Sequence, residues 1–219
     1  MQVAILGAGN VGGALGQGWS RAGHIIAYGV PDPANPKYGR VAEAAGHARL
    51  GTVAEAVRGV DVIVLAVPFG AVDGALAAAG DLSRKVVIDC TNPLRMGVAG
   101  LELSLGFDHS GAEHVASLAR RAAVFKTLNQ VGFEVMADAS GYAAEPVMFV
   151  AGDDEARKPA VMQLVSDLGF QAVDAGGLVL ARLLEAFGML WIHMALNRKV
   201  GRDNAFAYLA RQIDAGATR

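Results

Sequence analysis

The sequence predicts an α/β chain built on a doubly wound parallel sheet. Three observations carry that prediction. Short apolar runs alternate with segments of helical pattern along most of the chain. The runs carry almost no charge, as strands covered by helices on both faces require. The first of them opens straight into G-x-G-x-x-G at Gly7, Gly9 and Gly12, the turn from which such sheets start a phosphate-binding helix.

Bulk properties narrow the class. The chain has 219 residues, 53% hydrophobic and 18% charged, enough for a large core. A net charge of −2 gives no electrostatic footprint for nucleic acid or a membrane surface. One cysteine, Cys90, leaves no partner for an intrachain disulfide and fits a reducing compartment. The N-terminus lacks a signal peptide's charged region and cleavage site. No uninterrupted apolar run reaches the roughly 18 residues of a membrane span. The expectation is a cytoplasmic protein with no nucleic-acid or membrane partner. A mean hydropathy of +0.35 also fits an oligomer interface, and a homodimer is expected.

In chain order, Val3–Leu6 reads as a buried strand, with a helix from Asn10 to Arg21 and Gly23 just past its end. His24–Tyr28 is the second strand. Residues 29–36 carry three prolines and must be a loop. A helix over Lys37–Ala45 follows, and Thr52 caps a short helix over Val53–Arg58. Asp61–Val67 and Lys85–Cys90 are strands around a helix over Ala71–Ala79. Leu94–Asp108 is glycine-rich and aperiodic, and reads as a loop. Ser110 and Glu113 form a capping box that opens a helix to about Arg121.

Ala123–Leu128 is the next strand, with a short helix at Val131–Ala137. Val147–Ala151 and Phe170–Val173 are further strands. The helix between them takes Asp153, Asp154 and Glu155 at its start, where the dipole favours acids. Pro159 either begins that helix or costs it a bond. The longest helix, Leu178 to about Lys199, is apolar on most sides and is predicted to be buried, partly by a second copy of the chain.

Ligands of such sheets bind beyond the carboxyl ends of the strands. Those ends are Gly7–Gly12, Ala66–Phe69, Thr91–Pro93 and Leu128–Val131. An acid about 20 residues past the glycines commonly grips the ribose of NAD, whereas NADP sites use an arginine. Here Tyr28-Gly29 ends the strand, Asp32 lies in the loop, and Lys37 and Arg40 are within reach of a 2′-phosphate. Asp32 could equally start a turn, and Lys37 and Arg40 could equally be a solvated face. Asn92 and Asn129 can orient a carboxamide or carbonyl, or cap turns. Lys126, inside a strand, needs a partner or is an acid or orienting charge. Cys90 reads as core, His109 and His114 as surface or capping groups, and His193 as a core histidine. No spacing suggests a metal site. This scarcity of acid–base groups suits hydride transfer, where the cofactor supplies the chemistry and the protein the geometry.

Several motifs together carry a resemblance. They are V-A-I-L-G-A-G-N-V-G (Val3–Gly12), L-A-V-P (Leu65–Pro68), D-C-T-N-P (Asp89–Pro93), K-T-L-N (Lys126–Asn129), V-A-G-D-D (Val150–Asp154), and L-G-F-Q-A-V-D-A-G-G-L with A-R-L-L-E (Leu168–Glu185). Over nearly its whole length the chain resembles the NADP oxidoreductases that use the deazaflavin coenzyme F-420, in their bacterial branch of predicted dinucleotide-binding enzymes. The resemblance implies a Rossmann domain over 1–140, a small helical lobe over 141–219 packed on it and on a partner, and a homodimer. It implies that Gly7, Ala8, Gly9, Asn10, Val11 and Gly12 hold the pyrophosphate. Val30 and Pro31 would face the 2′-phosphate. Ala66, Val67, Pro68, Asn92 and Pro93 would line the nicotinamide half. Asn129 and Val131 would meet the second substrate.

Two positions depart from the family pattern. Pro31 stands where an arginine is usual, so NADP binding falls to Lys37 or Arg40, and NAD is the alternative. Asn129 stands where archaeal members carry histidine. The expected reaction is hydride transfer between NADPH and a deazaflavin or flavin-like acceptor. The alternatives are reduction of a small carbonyl or imine, with Lys126 or a bound water as proton donor, and a non-catalytic dinucleotide sensor.

Overall fold

The structure, a computed structural model, describes residues 1–98 and 100–211. The end of the expected C-terminal lobe, 212–219, lies outside the described residues. The first half runs β1 (Gln2–Leu6), α1 (Asn10–Arg21), β2 (Ile25–Gly29), α2 (Pro36–Ala44), β3 (Arg49–Gly51), α3 (Val53–Ala56), β4 (Val62–Leu65), α4 (Val72–Ala79) and β5 (Val86–Asp89). A hairpin of β6 (Leu94–Gly97) and β7 (Gly100–Leu103) follows. The rest is α5 (Gly111–Leu118), β8 (Ala123–Lys126), α6 (Phe133–Ala137), β9 (Val147–Gly152), α7 (Lys158–Ser166), β10 (Gln171–Gly176) and α8 (Ala181–Ile192).

Eight strands form one sheet in the order β10-β9-β8-β5-β4-β1-β2-β3. All pairs are parallel except β8 with β9. Strands β1, β4, β5 and β8 are buried along almost their whole length. Each fully buried aliphatic side chain there contributes about 1.5–3 kcal/mol. The chain order reverses between β1 and β4, so a crevice opens at the carboxyl ends of those two strands. The register places Leu6, Leu65, Asp89 and Lys126 in one row across the sheet. Every element of the site starts one residue beyond that row.

The C-terminal segment does not build a sheet of its own. Its strands β9 and β10 continue the first one, and Trp19 on α1 donates to the Leu164 carbonyl on α7 at 2.7 Å in the buried core. The capping boxes at Thr52 and Ser110 are both present, with Glu55 and Glu113 closing them.

Four expectations are corrected. The three-residue edge strand β3 was not foreseen; it is too short to show a period. The supposed loop 94–108 contains the β6–β7 hairpin, which is partly exposed on both strands and so lacks a clean alternation of apolar and polar residues. Asp153, Asp154 and Glu155 precede α7 instead of occupying its first turn, and Pro159 sits within that turn, where no helical bond is lost. The stretch Leu178–Asn197 is helical over 20 residues, with mean hydropathy 1.5, long and apolar enough to cross a bilayer. It is not buried all round: Leu183 and Leu190 are about half exposed, at 55% and 48%. It also carries Arg182 and Glu185, both in ion pairs.

Candidate active site

The phosphate end of the crevice is made by backbone. Gly7 has φ +103°, and a Cβ on it would lie 2.5 Å from the Ala66 carbonyl oxygen on the neighbouring strand end. A Cβ on Gly12 would overlap the Gly7 carbonyl, so helix α1 can leave the strand this tightly only with glycine there. The Tyr28 hydroxyl supports the turn from below, donating to the Gly12 carbonyl at 3.2 Å. Burial pushes that phenol well above its usual value, so it stays a donor. Gly9 differs from both. It is exposed, and a Cβ on it would meet nothing within 4 Å. It is also the N-cap of α1, with no side chain capping the first N–H groups and no acid in the first turn. Those donors face an open cradle, which fits an anionic pyrophosphate.

The adenosine end divides the sequence candidates. Val30 does not face a phosphate. Its side chain is 1% exposed and belongs to the core. Pro31 is exposed beside it. Asp32 accepts from the Ala34 N–H at 3.1 Å and forms the turn, which is the structural one of its two readings. Lys37 and Arg40 are exposed on α2, with the Lys37 ammonium 5.2 Å from the Tyr38 ring centre.

The reactive end is a cleft of about 370 Å³ between Gly9–Val11, Ala66–Phe69, Cys90–Asn92 and Leu94. Ala66, Val67, Pro68 and Asn92, all expected at the nicotinamide half, line this cleft. Pro93 is buried, and its carbonyl accepts from Ser104 N–H at 2.7 Å, which ties down the hairpin. The Cys90 thiol is pushed far up, by burial first and then by Asp89, with Lys126 opposing. It is inert as a nucleophile.

Lys126 and Asn129 stand behind this wall, not in it. The Lys126 ammonium is fully buried and lies 2.9 Å from Asp89 Oδ2, 2.5 Å from the Thr91 carbonyl and 3.1 Å from Glu185 Oε1. Burial works against its charge, yet Asp89 and Glu185 prevail and hold its pKa above the usual lysine value. With all three protons directed at oxygens, it is an orienting charge and no proton donor. Asn129 is 4% exposed. Its Nδ2 donates to Asn92 Oδ1 and to the Leu184 carbonyl, each at 3.0 Å, while Asn92 Nδ2 donates to the Asn129 carbonyl at 3.0 Å. Val131 is 7% exposed and packs in the core. The two asparagines thus form a clasp, and only Asn92 reaches the cleft.

Two residues of the wall's support were not foreseen in that role. Glu185 was read only as part of a motif, although a lone carboxylate in so apolar a helix demands a partner. Gly188 carries no sequence signal; a Cβ on it would lie 2.7 Å from the Asn129 carbonyl and 2.9 Å from Asn92 Oδ1. Of the histidines, His114 pairs with Asp73 at 2.8 Å and His109 lies 3.9 Å from Glu113, as surface groups. His193 is exposed, not a core residue. Among the described residues no cluster of three His, Cys, Asp or Glu side chains could hold a metal ion.

Residues 2–93 match a family model described as "NADP oxidoreductase coenzyme F420-dependent". Over that stretch, less than half of its length, the chain resembles this family. Taken with the relatives below, the match supports an NADP-dependent oxidoreductase. A reviewed relative from Methanothermobacter thermautotrophicus, an F420-dependent NADP reductase, is 28% identical over 91% of each chain. A crystal structure from Arthrobacter sp. FB24, a candidate F420-dependent NADP-reductase, superposes with a TM-score of 0.87 at 28% identity, covering 96% of this chain and 100% of that one. A reductive aminase from Aspergillus terreus superposes with a TM-score of 0.66 at 19% identity, covering 90% and 62%; at that distance the likeness is one of fold. The family match ends at Pro93, so it spans the glycine turn and the Thr91–Asn92 wall but not the clasp or α8.

Proposed function

We propose that the chain transfers a hydride between NADP(H) and a deazaflavin acceptor of the coenzyme F420 type. One observation carries the choice of acceptor: no residue lining the cleft can give up a proton at neutral pH. Reduction of a carbonyl needs a proton for the developing alkoxide. Lys126, the side chain that could serve as that donor, is sealed behind Thr91, which leaves only a bound water for such a reaction. A deazaflavin would accept the hydride at a ring carbon, where no proton from a side chain is required. The mostly apolar walls, Val67, Pro68, Phe69 and Leu94, suit a planar ring.

Each part of the chain has a role in this reading. The Gly7–Gly12 turn and the α1 N-terminus hold the pyrophosphate. Lys37 and Arg40 supply the charge for the 2′-phosphate that Pro31 cannot. Asn92, held by Asn129, orients the carboxamide of the nicotinamide. The bound dinucleotide supplies the hydride itself, and the chain supplies alignment and a dry wall. Reduction of an imine remains compatible only for a substrate that arrives already protonated, as an iminium. A pure sensor fits less well, because the cleft is open instead of filled by side chains.

We further propose a homodimer in which a second copy covers the half-exposed Val179, Leu183 and Leu190. Sedimentation tests it: a species of twice 22.6 kDa is expected at micromolar concentration, and a monomer sinks it. The reaction is tested by titration with NADPH and NADH, then anaerobic mixing with the oxidised deazaflavin. Tight NADPH binding with rapid bleaching is expected. Binding without bleaching rejects this acceptor.

A further inference from the structure

Two contacts from α8, three residues apart on one face, converge on the Thr91–Asn92 wall. The first is Glu185, 2% exposed. Its Oε2 accepts from Gly111 N–H at 2.9 Å and its Oε1 from Ala112 N–H at 3.1 Å, at the first turn of α5. Oε1 also lies 3.1 Å from Lys126 Nζ. Lys126 in turn donates to the Thr91 carbonyl, and Asp89 Oδ1 accepts from Thr91 N–H at 2.9 Å and from its hydroxyl at 2.7 Å. The second contact is Gly188, which lies flat against the Asn92–Asn129 clasp.

We infer that Glu185 and Gly188 are positioning residues for the nicotinamide half of the cofactor, acting through Thr91 and Asn92. The proposal rests on the reading of this cleft as the nicotinamide end. Two anions, Asp89 and Glu185, flank one cation, Lys126, in a site closed to water. The positive end of α5 faces the anion that lies farther from the turn. With Glu185 charged, Lys126 is held between two carboxylates and its third proton is aimed at Thr91. Without that charge, Lys126 is drawn toward Asp89, whose other oxygen already holds Thr91. The turn's carbonyl then loses its fixed donor.

A glutamine cannot restore the arrangement. Glu185 offers acceptors to three donors, and the amide of Gln would point its own NH2 at one of them. Anchoring of α5 alone would not need this device, since Ser110 and Glu113 already cap that helix. Gly188 makes the same point by shape: one methyl at that position pushes on Asn92 and Asn129 and leaves every charge paired.

The test compares two ligands on the full chain by calorimetry. One is whichever of NADPH and NADH binds the wild type more tightly. The other is its nicotinamide-free fragment, 2′-phospho-ADP-ribose or ADP-ribose. Glu185→Gln should weaken the intact dinucleotide about tenfold while the fragment changes less than about twofold. Gly188→Ala should show the same selective loss, and it carries the test if Glu185→Gln gives no cooperative melt. Equal losses for both ligands, or no loss for either, overturn the proposal and leave the cofactor site standing. A wild type that binds neither ligand overturns the cofactor site and the proposal together.

Discussion

At the glycine-turn end of the cleft, Gly7, Gly9 and Gly12 lie within six consecutive residues, and the turn they make is held by the adjoining ends of β2 and β4. At the other end, the Thr91–Asn92 wall is fixed by Asn129 and Leu184, through bonds that bridge 37 and 55 positions of sequence, and by Glu185 acting through Lys126. The first end uses backbone and the absence of side chains. The second uses a buried ion cluster and an amide clasp. The difference teaches where each end is vulnerable. The glycine turn fails by an added atom, and the wall fails by a lost partner far away in the chain.

The sharpest way to separate the two ends is Gly9→Val. Its side chain enters open space, so the fold and melting temperature should be unchanged. Binding of either dinucleotide should fall by about 100-fold or more, because the added atoms take the pyrophosphate's place. Unchanged binding by calorimetry would sink the cofactor site itself.

Lys126→Met should have the opposite signature. It leaves Asp89 and Glu185 buried without their cation, which costs roughly 3–5 kcal/mol. Urea unfolding checks this, and a loss under about 1 kcal/mol would show that water reaches the cluster.

Pro31→Arg sharpens the adenosine end. A new charge-assisted bond to the 2′-phosphate should raise NADPH affinity about tenfold and leave NADH alone. An equal change for both nucleotides would put the 2′-phosphate elsewhere.

The smallest effect concerns the strap between α5 and α8. Glu113 is held down to about 2, chiefly by its bonds with Arg182, against a usual value of 4.5. A depressed carboxyl contributes stability above its unfolded pKa and loses it as pH falls through its folded one. Arg182→Ala should therefore melt slightly earlier than the wild type at neutral pH. The gap should close between pH 4.5 and about 2. A gap that stays constant with pH assigns the effect to lost packing of the Arg182 stem instead.

The legibility of this site in the sequence follows the same division. Gly7–Gly12, the strand ends at Ala66–Pro68 and Asn92, the Thr52 cap and the Ser110–Glu113 capping box could be read directly, because each is a short-range pattern with one physical cause. Lys126 finds the partner its place inside a strand demanded, and Asn129, expected to meet the second substrate, stands behind Asn92 instead. Nothing local says that α8 folds back over them and turns direct contact into support. Val30 shows a simpler limit: a resemblance assigns a position in the chain, whereas packing just beyond β2 turns that side chain into the core. The hairpin at Leu94–Leu103 escaped because half-exposed strands on a small separate ribbon show no clean period.

By itself, then, the sequence determined the doubly wound sheet, its helix caps and the glycine turn into α1, since these depend on backbone sterics and hydrophobic period over a few residues. The tertiary structure alone decided that Asp89 and Lys126 share one row of the sheet and that Glu185 arrives from α8 to complete their charge balance. A buried cation can stay charged only where its partners meet it in space, and no local pattern specifies a meeting between residues so far apart along the chain.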